Sequence, residues 1–213
     1  MPKSFSVTDN TKGFHLTPDV PVHRLYLGMD IARVATYWSD LELHWAIAYT
    51  YLLAGKNDVE AFTEYYNLRD WRKRRKQFFD QAKAHRLPAQ LRDEATNLYT
   101  EFEALAKSRN RIVHGAWAWS EEHNDSVFLA QDRNFGSNLN RVFTGIEKIA
   151  NHPKRYPELS FNLARGSYEE WTHSDFEAVI GEIAALRNRL MDFGSKVVGH
   201  SLEALTRRLR PRS

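Results

Sequence analysis

Arg109, Asn110 and His114 are the residues of this chain whose types and spacing best suit chemistry. A histidine titrates near neutrality and can take or give a proton during a reaction. An arginine is a permanent cation that stabilises a phosphate or a developing oxyanion. On an α-helix the three side chains share an arc of about 140°. The same geometry puts Arg109 within a stripe of Leu98, Phe102, Leu105 and Val113, where a guanidinium is costly unless it is paired or lines a cleft. His114 falls at the end of that helix, where the dipole favours imidazolium. Asn110, four residues earlier, is placed to orient the ring or bind a phosphate oxygen.

Glu42 offers Arg109 a different role. It lies about 40° from Trp38 on an earlier helix, close to that helix's own apolar seam. A buried Arg109–Glu42 pair would be structural, and His114 would then be a surface helix cap.

The elements that must carry these residues are helical. Leu27, Ile31, Val34, Trp38, Leu41, Trp45, Ala48 and Leu52 alternate at spacings of four and three, which predicts an amphipathic helix from near Val22. It stops at Ala54-Gly55-Lys56-Asn57, with Gly55 as a C-cap. Asp58 N-caps a second helix, and a basic helix around Trp71-Arg72-Lys73-Arg74-Arg75-Lys76 follows. A long helix from about Pro88 to Val113 carries the Arg109 stripe, and Gly115 is its stop signal. Ala116-to-Trp119, Ser126-to-Ala130 and Leu159-to-Ala164 read as short strands, with a loop-rich stretch at 132–157. Thr172-His173-Ser174-Asp175 precedes a closing helix bearing Phe176, Val179, Ile180, Ile183, Leu186, Leu190 and Phe193.

The expected fold is mainly α, an up-and-down helical bundle with a small β-strand insertion before the last long helix. Its organisation reads as a polar, mostly irregular N-terminal arm at 1–21, one helical domain at 22–198 with a loop and strand insertion at 116–165, and a basic tail at 199–213.

Composition removes other classes. The 213 residues contain no Cys, which excludes disulfides, thiolate zinc sites and cysteine nucleophiles. The nine His show no metal-ligand spacing such as H-E-x-x-H, so no metal and no cofactor are expected. No phosphate-binding glycine loop or nucleophile elbow is present. The start, MPKSFSVTDN, lacks the apolar run of a signal peptide, and no stretch is apolar enough for a membrane span. The expected compartment is the cytoplasm. Net charge is only +3, but Arg69 to Arg86 holds eight Lys or Arg against two Asp, and Arg187 to Ser213 holds seven against two acidic residues. Such clusters suit a polyanion, and they equally suit solvated helix faces.

Arg109-Asn110-Arg111-Ile112-Val113-His114-Gly115 resembles the signature of HEPN domains (higher eukaryotes and prokaryotes nucleotide-binding). The opening helix with Trp38-Ser39-Asp40-Leu41-Glu42, and the aromatic pair Trp117 and Trp119, are similar to helical members of that group. The resemblance implies a dimerising helical bundle in which two motifs meet and cleave RNA without a metal. His114 would be the general acid or base, Arg109 would stabilise the phosphate, Asn110 would assist both, and Glu42 would support Arg109. The RNA 2′-hydroxyl would attack, leaving a 2′,3′-cyclic phosphate. Arg72, Lys73, Arg74, Arg75 and Lys76 would hold the RNA backbone. A toxin or phage-defence role, with an antitoxin or defence protein as partner, follows from the same likeness. One toxin branch carries a Tyr two residues after the His, where this chain has Ala116. A second Arg187-Asn188-Arg189 has Asp192 in place of the His and reads as a surface or interface feature. The alternative function is a non-catalytic helical binding or assembly module.

Overall fold

A computed structural model of the chain describes residues 1–8, 11, 13–16, 23–53, 58–84, 87–131 and 166–209. In chain order these form β1 (Lys3–Val7), β2 (Phe14–Leu16), α1 (Leu25–Leu52), α2 (Asp58–Asn67), α3 (Trp71–Ala84), α4 (Ala89–His114), β3 (Trp117–Ser120), β4 (Ser126–Ala130), β5 (Gly166–Thr172) and α5 (His173–Leu209). The chain is mainly α, as its periodicity predicts. It is not a purely helical bundle, because the strands make a five-stranded antiparallel sheet in the order β1-β5-β4-β3-β2.

Three expectations change. Residues 1–21 are not merely an irregular arm: they supply both edge strands of the sheet. Their strand pattern is short and polar because an edge strand needs only one buried face. The basic tail at 199–213 is not separate from the closing helix, since α5 runs on to Leu209. Gly166–Thr172 forms a strand that the sequence pattern does not mark. The stretch 159–164, the loop at 132–157 and the Gly55 cap lie outside the described residues.

Packing divides the chain into two compact units, Met1–Ala35 with Ser108–Ile180, and Thr36–Lys107 with Gly181–Ser213. The first unit is built on the sheet. Val7, Ala118, Phe128, Ala130 and Tyr168 form a buried cluster on one face, joined by Phe5, Phe14 and Ala116. Phe5 and Phe14 sit on opposite edge strands, yet their ring centroids are 6.0 Å apart. Four flat strand spacings would separate those edges by about 19 Å, so the sheet curls strongly around this cluster. On the other face Trp117 pairs with Leu129 and Val127 with Trp171, all buried. Phe176, in the first turn of α5, meets both Trp117 and Trp171 at 5.7 and 5.1 Å. A capping contact fixes that turn: the Thr172 amide and Oγ1 donate to Asp175 Oδ2 at 3.0 and 2.8 Å.

The second unit is helical, with an aromatic core. Trp45 on α1 packs against Phe78 of α3 and against Tyr99 and Phe102 of α4 at 4.9, 5.0 and 5.2 Å. Phe193 of α5 meets Phe78 at 6.2 Å. Of the eight apolar positions spaced along α1, all but Ile31 are buried. At Gly194 an added Cβ would come within 2.9 Å of the Tyr51 ring, so α5 needs a residue without a side chain there.

Candidate functional site

The chain leaves α4 after His114 at a position with no room for a side chain. A Cβ at Gly115 would collide with the Arg111 carbonyl oxygen and with the Leu129 side chain. Positive φ belongs to Gly13 and Gly166 among the described glycines, so glycine is needed at 115 for space and not for a left-handed turn. Two contacts then tie the helix end to the sheet. Trp117 Nε1 donates to the Ile112 carbonyl at 2.9 Å, satisfying one of the helix's free C-terminal acceptors. Arg111 pairs with Glu169 of β5 at 2.5 Å. Strand β3 therefore begins three residues after His114 on a rigid support.

At this helix end Arg109, Asn110 and His114 come together. Arg109 Nη1 lies 3.0 Å from Asn110 Oδ1 and 3.4 Å from His114 Nε2. Asn110 and His114 are exposed, while Arg109 is half-buried with its Nε inaccessible to water and without a hydrogen-bond partner. An arginine only donates, so in this contact Nε2 is the acceptor. Among the described residues no carboxylate pairs with Arg109, so its charge stays available to an anion.

The second Arg-Asn pair shows the contrast. Arg187 Nη2 also reaches its neighbour's amide, Asn188 Oδ1, at 3.1 Å. Its charge is balanced by Asp40 at 2.8 Å, and Arg189 is balanced by Glu101 at 2.5 Å. Both are structural ion pairs of the helical unit.

Glu42 lies in the second unit, where it lines a small cavity with Trp45, Tyr65, Arg74, Tyr99 and Phe102. Burial pushes the Tyr65 phenol far above its ordinary value; Tyr99 and Glu42 add to this and Arg74 opposes it.

The five candidate basic residues of α3, Arg72 to Lys76, are used unevenly. Arg74 donates to the Leu68 carbonyl at 2.6 Å and packs over the Tyr65 and Tyr66 rings. Arg75 pairs with Glu103 at 2.6 Å and packs over Tyr99. Lys76 pairs with Asp80 at 3.0 Å. Arg72 and Lys73 are exposed.

Two constellations escape sequence reasoning. Asp30, only 3% exposed, accepts from His173 Nδ1 at 2.6 Å and from Arg33 Nη1 at 3.0 Å. Arg33 also pairs with Glu177, which lies 3.7 Å from His173 Nε2. Asp30, His173 and Glu177 each offer one ligand atom within 4.8 Å of the others, which is a possible metal donor set. Arg33 already bonds both carboxylates and supplies the cation there. The hydrogen bond and charge of Asp30 hold the His173 imidazole above its ordinary value. The only sequence signal was the His173–Glu177 spacing of four. The second constellation is a group of rings, in which Trp119 stacks with His15 and with His23 at 4.3 and 4.4 Å with near-parallel planes. Trp119 was noticed as an aromatic, but both partners come from the N-terminal segment.

Among the described residues no helix is long and apolar enough to cross a membrane. Comparison with protein-family models, with curated proteins and with solved structures returns no match.

Proposed function

We propose that the chain is a metal-independent endoribonuclease of the HEPN type, with a HEPN-like fold, that acts as a homodimer. His114 exchanges the proton, Arg109 stabilises the phosphate charge, and Asn110 holds both in register. The observation that carries this reading is the Arg109 guanidinium, bonded to Asn110 and His114 at an exposed helix end while Arg187 in the same dipeptide is neutralised by Asp40. A single His supplies either base or acid, so pairing two motifs across a two-fold axis would provide both. The RNA brings its own 2′-hydroxyl nucleophile, and the products are a 2′,3′-cyclic phosphate and a 5′-hydroxyl.

The deciding experiment is cleavage of a structured RNA by wild-type, His114→Ala and Arg109→Ala proteins, with end-group analysis and a circular dichroism melt of each. Loss of cleavage in both folded variants is the expected result. Full activity in a folded His114→Ala protein rejects the assignment.

A second reading is a non-catalytic helical binding module. It is favoured by α3, where Arg74, Arg75 and Lys76 are engaged by partners within the protein. Under that reading His114→Ala changes no reaction, and the toxin or defence role falls with the activity.

A further inference from the structure

We propose that the cleft bounded by His23, Arg24, Tyr26, Asn124, Asp125 and His173 binds an unpaired guanine base together with its phosphate. This deepens the ribonuclease reading, because it names a base that the same unit would hold beside the scissile phosphate, and it rests on that reading for its RNA substrate. The cleft has a volume of about 590 Å³, at the lower middle of the range for small-molecule sites.

Its walls divide into three kinds of chemistry. The first is stacking. One face of the His23 ring lies on Trp119, which also stacks with His15. His23 is exposed and faces the cleft, and Tyr26 beside it is 83% exposed. Two aromatic side chains left in water at the mouth of a cleft are a stacking platform for a splayed-out base.

The second is edge reading. Asn124 and Asp125 lie on the turn between β3 and β4, both exposed. Arg24 Nη2 donates to Asn124 Oδ1 at 3.1 Å, which orients the amide and leaves its NH₂ as a donor. The Asp125 carboxylate accepts. Its two oxygens can take two parallel donors, and guanine is the base that offers two adjacent donors, N1–H and N2–H, beside an acceptor, O6, that suits the Asn124 amide.

The third is charge. Arg24 is fixed by carbonyl acceptors, at 2.6 Å to Ser120 and 3.0 Å to His23, and it packs 5.1 Å from the Trp119 ring centre. Among the described residues it has no carboxylate partner, so its cation is available to a phosphate. Trp119 follows His114 by five residues, so the two Cα atoms are at most about 18 Å apart, a span of a few nucleotides.

The test uses the full chain carrying His114→Ala, so that RNA stays intact. Fluorescence anisotropy compares a labelled single-stranded oligouridine holding one guanosine with the same oligomer holding adenosine, and unlabelled GMP and AMP compete. The guanosine oligomer should bind roughly tenfold tighter, and His23→Ala and Tyr26→Ala should each lower its affinity roughly tenfold, the usual scale for losing one stacked base. Asp125→Asn, nearly isosteric and exposed, should erase the guanosine preference. GMP competing as well as the oligomer identifies a free nucleotide as the ligand; GMP failing to compete identifies RNA. Unchanged affinity in all three substitutions, or no binding by either oligomer or nucleotide, overturns the proposal. Cleavage by the wild type with indifferent cleft variants sinks this inference alone. Guanine binding without any cleavage sinks the ribonuclease reading alone.

Discussion

Removing the His114 imidazole should lower RNA cleavage by about 10²- to 10⁴-fold, the usual worth of a positioned acid or base. The fold should survive, because the side chain is exposed and its contact is with Arg109 alone among the described residues. Arg109→Ala removes the cation that lies between Asn110 and His114, so cleavage should fall while both neighbours remain in place. Gly115→Ala makes a different kind of change. Its Cβ would meet the Arg111 carbonyl and Leu129, so the helix end or the strand must shift. Overpacking of this kind costs about 1–3 kcal/mol. A lowered urea midpoint together with reduced cleavage is expected; a protein as stable and active as the wild type would contradict the steric account of the helix end.

The start of α5 carries a pH-dependent clamp. His173 bonds Asp30 on α1, and Arg33 and Glu177 are the other charged groups facing it. Because its folded pKa is raised above the unfolded value of about 6.5, its contribution is fully present below that value. That contribution is lost as pH rises through the higher folded pKa. Urea midpoints should therefore fall from pH 6 to pH 9, and Asp30→Asn should flatten the slope; an unchanged slope would show that the clamp does not titrate. Asp175 works in the opposite direction. Burial alone would raise its carboxyl, but hydrogen bonds from Thr172 and the nearby N-terminal amine outweigh it and hold the group below its ordinary range. Its contribution is present above the unfolded pKa and disappears as pH falls through the folded one. Asp175→Ala, which removes the cap, should cost about 1 kcal/mol at neutral pH.

For the molecule as a whole, the proposed composite site makes activity a property of the assembly. Light scattering should report a homodimer, and His114→Ala subunits should depress wild-type activity when the two are mixed and re-equilibrated. A monomer cleaving at full specific activity excludes a shared site. Cleavage should also survive EDTA, because in the proposed reaction Arg109 and His114 carry the charge and proton work. The Asp30–His173–Glu177 set makes that test sharp. Activity lost on chelation, and lost again in Glu177→Ala, would move the chemistry to those residues. RNA affinity should fall with salt, and removing exposed Lys73 of α3 should lessen that dependence.

Local pattern determined a large part of this protein. The spacing from Leu27 to Leu52 placed α1, the stripe ending at His114 placed α4, and Thr172 with Asp175 marked the start of α5. The clustering of Arg109, Asn110 and His114 was also readable, because residues within one turn or two of a helix have their separation set by helix geometry alone. The sheet was only half readable. β3 and β4 are short apolar segments, but β1 and β2 are short edge strands whose register depends on β5 and β3, more than a hundred residues away. Charge partners were decided wholly by tertiary structure. Nothing in the run from Arg72 to Lys76 says that Arg74 turns to backbone carbonyls while Arg75 takes Glu103. Asp30 meets His173, and His23 meets Trp119, across separations of 143 and 96 residues, where chain geometry sets no distance and only packing brings the side chains together.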